Sequence, residues 1–440
     1  MYTNKEIWNV SYPIFLGLLA QNIINVTDTA FLGRVGEVEL GASAMGGLFY
    51  ICVFTIAFGF SVGSQILIAR RNGEGRYKDV GPVMIQGGTF LLGLAVLMFG
   101  LTHLLAPSIV RLLISSDSIF DATMEFLNWR IWGFFFAFVN VMFRALYIGI
   151  TRTKVLTMNA VVMALVNVLL DYILIFGKFG MPEMGIKGAA VASVMAEAAS
   201  LAFFLIYTYA KVDFKKFGLN HWQKIDFSLL GKILSISCFT MIQYFLAMAT
   251  WFVFFIAIER LGQRELAIAN IVRSIYIVML IPVQALSTTT NSLVSNLIGA
   301  GEQDCVRGTI RQHIRIGYIF VLPILIFFCL FPDLILRIYT DMPDLRAASV
   351  PSLWVLCSAH LVLVPANVYF QSVSGTGNTR TALAMELCVL AIYVTYSAYF
   401  IMYLRMDVAF AWTTECVYGI FTLMFCYWYM KKGNWQKKKI

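Results

Sequence analysis

Twelve stretches of twenty or more mostly apolar residues follow one another along the chain, with only short connections between them. We place them at 7–33, 40–69, 81–105, 120–150, 156–176, 184–210, 229–260, 266–297, 308–331, 346–374, 379–404 and 407–430. A helix of about 20 apolar residues is what the hydrocarbon core of a bilayer requires. Runs such as 89–101 (TFLLGLAVLMFGL) are apolar on every side, as a lipid-embedded helix must be. The chain is 60% hydrophobic and 13% charged. A soluble domain carries about 45–50% apolar and about 25% charged residues, so a water-soluble globule is excluded, and disorder requires the opposite bias. Membrane barrels are built from alternating segments of about 10 residues, which this chain lacks. The first segment is too long for a cleavable signal, and a second span follows at once, so we expect it to stay as the first span. The fold class is an all-α polytopic membrane protein.

Basic residues decide the orientation of such a chain. With the N-terminus inside, the inner connections and ends hold 20 Lys and Arg and the outer loops hold 9. The inner set ends in Lys431, Lys432, Lys437, Lys438 and Lys439. Both termini are therefore expected in the cytoplasm, with the basic tail resting on anionic headgroups rather than on nucleic acid. The eight cysteines form no CxxC pair and sit mostly in spans, as small packing residues. The four histidines, His103, His221, His313 and His360, form no metal motif. Nothing resembles a nucleophile–base pair or a cofactor loop, so an enzyme is not expected.

An internal repeat organises the chain. Shifted by 226 residues, Gly36-Glu37-Val38-Glu39-Leu40 falls on Gly262-Gln263-Arg264-Glu265-Leu266. Gly73 and Gly75 fall on Gly299 and Gly301, and Gly149, Thr153 and Lys154 on Gly375, Thr379 and Arg380. One ungapped offset across three separate stretches predicts two six-helix halves, residues 1–210 and 229–440, joined by a cytoplasmic linker at 211–228. Six is even, so both halves enter the membrane in the same direction. That is the plan of transporters whose halves open a central cavity alternately. The paired glycines read as sharp turns leaving a helix. The full phosphate-loop pattern is missing, so no ATP site is visible and an ion gradient is the expected energy source.

The halves differ where chemistry is expected. Asp28 falls on Phe254, Asp171 on Ser397 and Asn167 on Tyr393. An acid near the bilayer centre costs about 2.5–3.5 kcal/mol on insertion scales and is a functional candidate by default. Gln21, Asn25 and Asp28 share one helix face, and Asn159, Asn167 and Asp171 share another. Two polar stripes ending in Asp would meet if the first and fifth helices pack together. Their oxygens suit Na⁺ or a shared proton equally. Other charges within spans are Arg144, Arg273, Glu197, Glu386 and Glu415; Glu197 would join the N-half site or pair with Arg144. Glu125 and Arg130 lie near the start of the fourth span, where snorkelling is enough.

At these residues the chain resembles the multidrug and toxic compound extrusion (MATE) family, over nearly its whole length. The resemblance rests on QNIINVTDTAFLGRVG, GITRTK, and NVLLDYILIFGKFG followed by GIKGAA, together with the two-halved twelve-span plan. It implies two pseudo-symmetric six-helix bundles forming a V-shaped cavity. It also implies a prokaryotic inner-membrane antiporter, expelling lipophilic organic cations in exchange for H⁺ or Na⁺. The family's cation site carries over to Asp28, Asn167 and Asp171, with Ser193 as the matching hydroxyl. Gln21, Asn25, Asn159, Arg144, Glu197 and Arg273 are accessory candidates. Some branches carry acids in helices 7 and 10; here those stretches read QYFLAMATWFV and LVLVPANVYFQ, which favours N-half coupling, as in DinF-like branches. No cofactor is expected beyond the transported H⁺ or Na⁺, and the partners expected are substrate and membrane lipid, with the protein a monomer. The rival reading is a flippase for a lipid-linked saccharide, motivated by Arg144 and Arg273.

Overall fold

The structure is a computed structural model describing residues 2–114, 116–220 and 224–437. His221, Lys438 and Lys439 lie outside the described residues. Among the described residues, twelve helices are long and apolar enough to cross a membrane. They are α1 (Asn4–Val35), α2 (Glu37–Gly73), α3 (Tyr77–Leu113), α4 (Asp117–Gly149), α5 (Lys154–Phe176), α6 (Gly185–Lys211), α7 (Phe227–Glu259), α8 (Gln263–Gly299), α9 (Gln303–Leu330), α10 (Pro343–Gly375), α11 (Thr379–Tyr403) and α12 (Val408–Lys432). The apolar segments of the sequence coincide with them one for one. The largest departure is α3, which runs on to Leu113. Its last turns carry Pro107 and Arg111, which interrupt the apolar pattern without ending the helix.

The paired glycines are turns, as their spacing implies. Gly75 and Gly301 follow the ends of α2 and α8 with φ of 71° and 79°. That left-handed backbone costs glycine nothing. Inside α4 the helix tightens into a 3₁₀ turn at Ile131–Gly133.

The chain divides into two compact units: Tyr12–Met241, and Met1–Ser11 with Ile242–Ile440. The divide runs through α1 and α7 rather than through a loop. In the first unit, the early part of α7 is pinned to α2: the Thr240 hydroxyl donates to the Gly59 carbonyl at 2.6 Å, and the Ser237 hydroxyl to the Phe60 carbonyl at 3.1 Å. α5 and α6 approach closely because Gly188 faces Leu174, where a Cβ would stand only 2.7 Å from the Leu174 carbonyl. Ala189 and Ala190 extend that small-residue surface. Leu32 of α1 joins Ile175, Ile186 and Ala190 in one buried cluster, and Phe31 meets Phe176 edge-on at 5.7 Å. The end of α1 is thereby docked on α5.

In the second unit, α8, α10 and α12 enclose a core containing Val272, Tyr276, Leu353, Leu356 and Trp412. The first turns of α1 belong here. Ile7 is buried with Leu286, Leu293 and Ile316, and the Ser11 hydroxyl donates to Thr289 at 3.0 Å. Large apolar side chains such as Leu104, Leu165 and Ile206 remain exposed on the outer faces, where lipid is their solvent.

Candidate functional site

Asp28 precedes Leu32 by one turn, and Asn167 and Asp171 precede Ile175 by two turns and one. The apolar docking of Leu32 against Ile175 therefore carries the polar residues together one turn further along. With its nitrogen turned toward the pair, the Asn167 amide donates to Asp28 Oδ1 at 3.0 Å and to Asp171 Oδ2 at 3.3 Å. The two carboxyl groups also come within hydrogen-bonding reach of each other. Asn167 is 1% exposed and Asp171 0%. Asp171 Oδ1 is buried with no hydrogen-bond partner. Among the described residues, neither acid has an ion-pair partner.

One buried and one half-buried carboxyl group around one amide, with no ion-pair partner among the described residues, form a place where a positive charge offsets the cost of burial. A proton or a small cation bound by oxygen supplies it. The orphaned Oδ1 of Asp171 is the oxygen placed to take either, with the Asp28 carboxyl beside it.

The remaining candidates do not all gather here. Gln21 and Asn25 are exposed, so of the first polar stripe only Asp28 enters the cluster. Asn159 is buried but accepts from the Ser200 hydroxyl of α6 at 3.0 Å. Ser193 is half-buried and makes no hydrogen bond to the three residues. Arg144 lies 5.0 Å over the Phe58 ring and Arg273 5.1 Å over Phe255.

Glu197 corrects the sequence reading twice. It neither joins the aspartates nor pairs with Arg144. It takes Arg130 in a two-pronged ion pair, at 2.7 and 3.0 Å. Arg130 does not snorkel; its side chain is only 13% exposed. The tightened turn at Ile131–Gly133 makes room for it: a Cβ on Gly133 would run into the Arg130 guanidinium, the Glu197 carboxylate and the Tyr50 hydroxyl. The Tyr50 ring lies 3.6 Å beneath the guanidinium, and its hydroxyl donates to Glu197 at 3.1 Å. Asn140 completes the set by donating to the Glu197 carbonyl at 2.9 Å. Tyr50 escaped notice in the sequence, although its offset partner, 226 residues on, is also tyrosine: Tyr276.

Comparison with known proteins agrees with the repeat. The MatE family model matches residues 13–173 and again 238–399, so the two matches begin 225 and end 226 residues apart. A probable multidrug resistance protein NorM of Thermotoga maritima is 23% identical over 441 aligned residues, 99% of this chain and 94% of that protein. A protein of the same description from Agrobacterium fabrum is 29% identical over 212 residues, 47% of this chain and 44% of that one. Among solved structures, the outward-facing conformation of a multidrug resistance MATE family transporter of the MOP superfamily superposes with a TM-score of 0.91 at 17% identity, covering 99% of this chain and 97% of the other. A MOP superfamily transporter from Pyrococcus furiosus, described as having a binding pocket of reversed polarity, gives 0.87 at 17% identity and the same coverage. At these identities the likeness to the solved structures is one of fold. The two family matches together take in well over half the sequence, and on that footing the chain belongs to the MatE family of multi-pass membrane transporters.

Proposed function

We propose that the protein is a secondary antiporter that exports lipophilic organic cations across the cytoplasmic membrane in exchange for H⁺ or Na⁺. Its two lobes, residues 1–210 and 229–440 with the linker 211–228, alternate access, and both termini are cytoplasmic. The coupling ion binds at Asp28, Asn167 and Asp171, with Ser193 a candidate to complete the shell. The observation that carries this reading is the pair of acids, Asp171 buried and Asp28 half-buried, bridged by one amide at 3.0 and 3.3 Å with no ion-pair partner among the described residues.

The amide supplies a physical link between ion and conformation. With its nitrogen inward, Asn167 satisfies two empty carboxylates. With a proton or Na⁺ aboard, the amide oxygen is the better face to present. Loading the site then changes the hydrogen bonds that hold Asp28 of α1 to α5, and the packing of α1 changes with it. A ligand shifts such an equilibrium by its differential affinity for the two arrangements. Drug and ion need not share atoms; each only has to favour a different arrangement.

The test is ethidium efflux from energised vesicles with an imposed Na⁺ gradient or an imposed pH gradient, comparing wild type with Asp171→Asn. Export by the wild type alone supports the reading, and the driving gradient names the ion. Full export by the mutant contradicts it. Failure of both proteins under both gradients would turn attention to the lipid-linked saccharide flippase, whose mid-span cations would be Arg144 and Arg273.

A further inference from the structure

The second unit holds a buried acid that the account so far does not use. Glu415 of α12 is 3% exposed. It accepts hydrogen bonds from two phenols, Tyr276 of α8 at 2.6 Å and Tyr393 of α11 at 3.0 Å. Among the described residues it has no ion-pair partner.

The internal repeat makes the comparison pointed. Tyr276 is the offset partner of Tyr50, and Tyr393 that of Asn167. In each half, then, the same tyrosine of the second helix donates to a buried glutamate of the sixth. In the N-terminal half Arg130 neutralises that glutamate. The offset partners of Arg130 and Glu197 are Leu356 and Leu423, so the second half lacks that ion pair. Glu415, eight residues before Leu423 on α12, meets the matching phenol with no ion-pair partner of its own among the described residues. In place of Asp28 the C-terminal half has Phe254, whose ring lies 6.1 Å from Tyr393 and 5.2 Å from Trp412.

Two more buried polar atoms beside these rings have no partner: His360 Nε2 and Trp412 Nε1. The His360 ring meets Tyr276 edge-on at 5.4 Å, and its Nδ1 is engaged with the Leu356 carbonyl. The Trp412 ring lies 5.9 Å from Tyr276. Both residues are fully buried.

We propose that Glu415 is a second proton-carrying group of the transporter, cradled by Tyr276 and Tyr393. An ionised carboxylate held only by neutral donors at this depth bears the cost of a buried ion without an opposite charge. The phenols donate to different oxygens, Tyr276 to Oε2 and Tyr393 to Oε1; a proton on either oxygen removes that cost, and the phenol on the other oxygen remains its donor. The proton comes from water and returns to water, and only an O–H bond forms and breaks. The titratable and charged neighbours are Tyr276 and, one turn before it, Arg273 of α8; His360 of α10; Tyr393 and Glu386 of α11; and, on α12 itself, the adjacent Cys416 thiol and Tyr418, whose hydroxyl donates to Glu386 at 3.1 Å. Only the use of this proton in transport rests on the antiporter reading; its presence does not.

The experiment is infrared difference spectroscopy of the purified full-length protein between acidic and alkaline buffer, reading the protonated-carboxyl stretch. Wild type, Asp171→Asn and Glu415→Gln are compared in Na⁺-free buffer and with Na⁺ added. Glu415→Gln is expected to lose one titrating component that Asp171→Asn keeps. An unchanged carboxyl spectrum in Glu415→Gln overturns the proposal, and so does a Glu415 signal that responds to Na⁺ and not to pH. If Glu415→Gln fails to fold, Tyr276→Phe should shift that component through loss of a hydrogen bond, and an unmoved band overturns the proposal. Loss of the component in a protein that moves no dye would leave the proton site standing and defeat the antiporter reading alone.

Discussion

Arg130 and Glu197 stand 67 residues apart in sequence and meet through both prongs of the guanidinium, at 2.7 and 3.0 Å, in the interior of the N-terminal unit. Breaking such a pair from one side leaves a buried charge uncompensated and costs about 3–5 kcal/mol, whereas replacing both partners by apolar groups is often neutral or stabilising. Glu197→Leu should therefore lower the thermal unfolding temperature in detergent more than Arg130→Met with Glu197→Leu does. A double variant at least as unstable as the single one would show that the pair stabilises by more than mutual neutralisation.

Gly133 is the position that lets this pair form. Gly133→Ala forces its Cβ into Arg130, Glu197 and Tyr50, and overpacking of this kind costs about 1–3 kcal/mol. The expected outcome is a reduced yield of folded protein with a lowered unfolding temperature. Wild-type stability in Gly133→Ala would mean that the turn at Ile131–Gly133 relaxes freely.

Gly63 tests the assignment of the early part of α7 to the N-terminal unit. A Cβ there would stand 2.5 Å from the Cα of Ser237, a backbone neighbour that cannot swing aside. Gly63→Val should separate α7 from α2 locally, and cysteines introduced at the contact should then cross-link less than in the parent. Undiminished cross-linking would contradict the close approach.

Asn167→Ala removes the shared donor between Asp28 and Asp171 while leaving both acids. Hydrogen bonds to charged groups contribute about 1.5–3 kcal/mol, and 1.4 kcal/mol is about tenfold in affinity. That donor stabilises the empty, charged carboxylates, so its loss favours the loaded site, and gradient-driven ethidium efflux should reach half its maximal rate at about tenfold less coupling ion. An unchanged ion dependence in Asn167→Ala would remove Asn167 from the site.

Much of this was legible in the sequence, for identifiable reasons. The spans follow from apolar length alone, because lipid leaves a chain few alternatives. Asp28, Asn167 and Asp171 stood out because acids in apolar helices are costly, and because their offset partners Phe254, Tyr393 and Ser397 carry no acid. The pairing of Glu197 was not legible. Arg144 and Arg130 were both available on α4, and the choice was made by a 3₁₀ turn and a glycine whose effect appears only once α2, α4 and α6 are packed. The stripe Gln21, Asn25, Asp28 read as a single face, yet only Asp28 is held inward, because α1 is docked near its end by Phe31 and Leu32. The tyrosines at Glu415 were hidden for another reason: in a chain with 20 of them, a tyrosine within a span carries no signal until its hydroxyl is seen to meet a carboxylate.

The central claim is that one ion, bound between Asp28 and Asp171, opposes the drug. It is tested most directly by equilibrium binding of ethidium to the purified protein across a series of Na⁺ concentrations at fixed pH, and across pH without Na⁺. The account predicts that wild-type affinity falls as the coupling ion rises and that this fall disappears for the same ion in Asp171→Asn. Wild-type affinity indifferent to both ions, or an undiminished fall in Asp171→Asn, would contradict it.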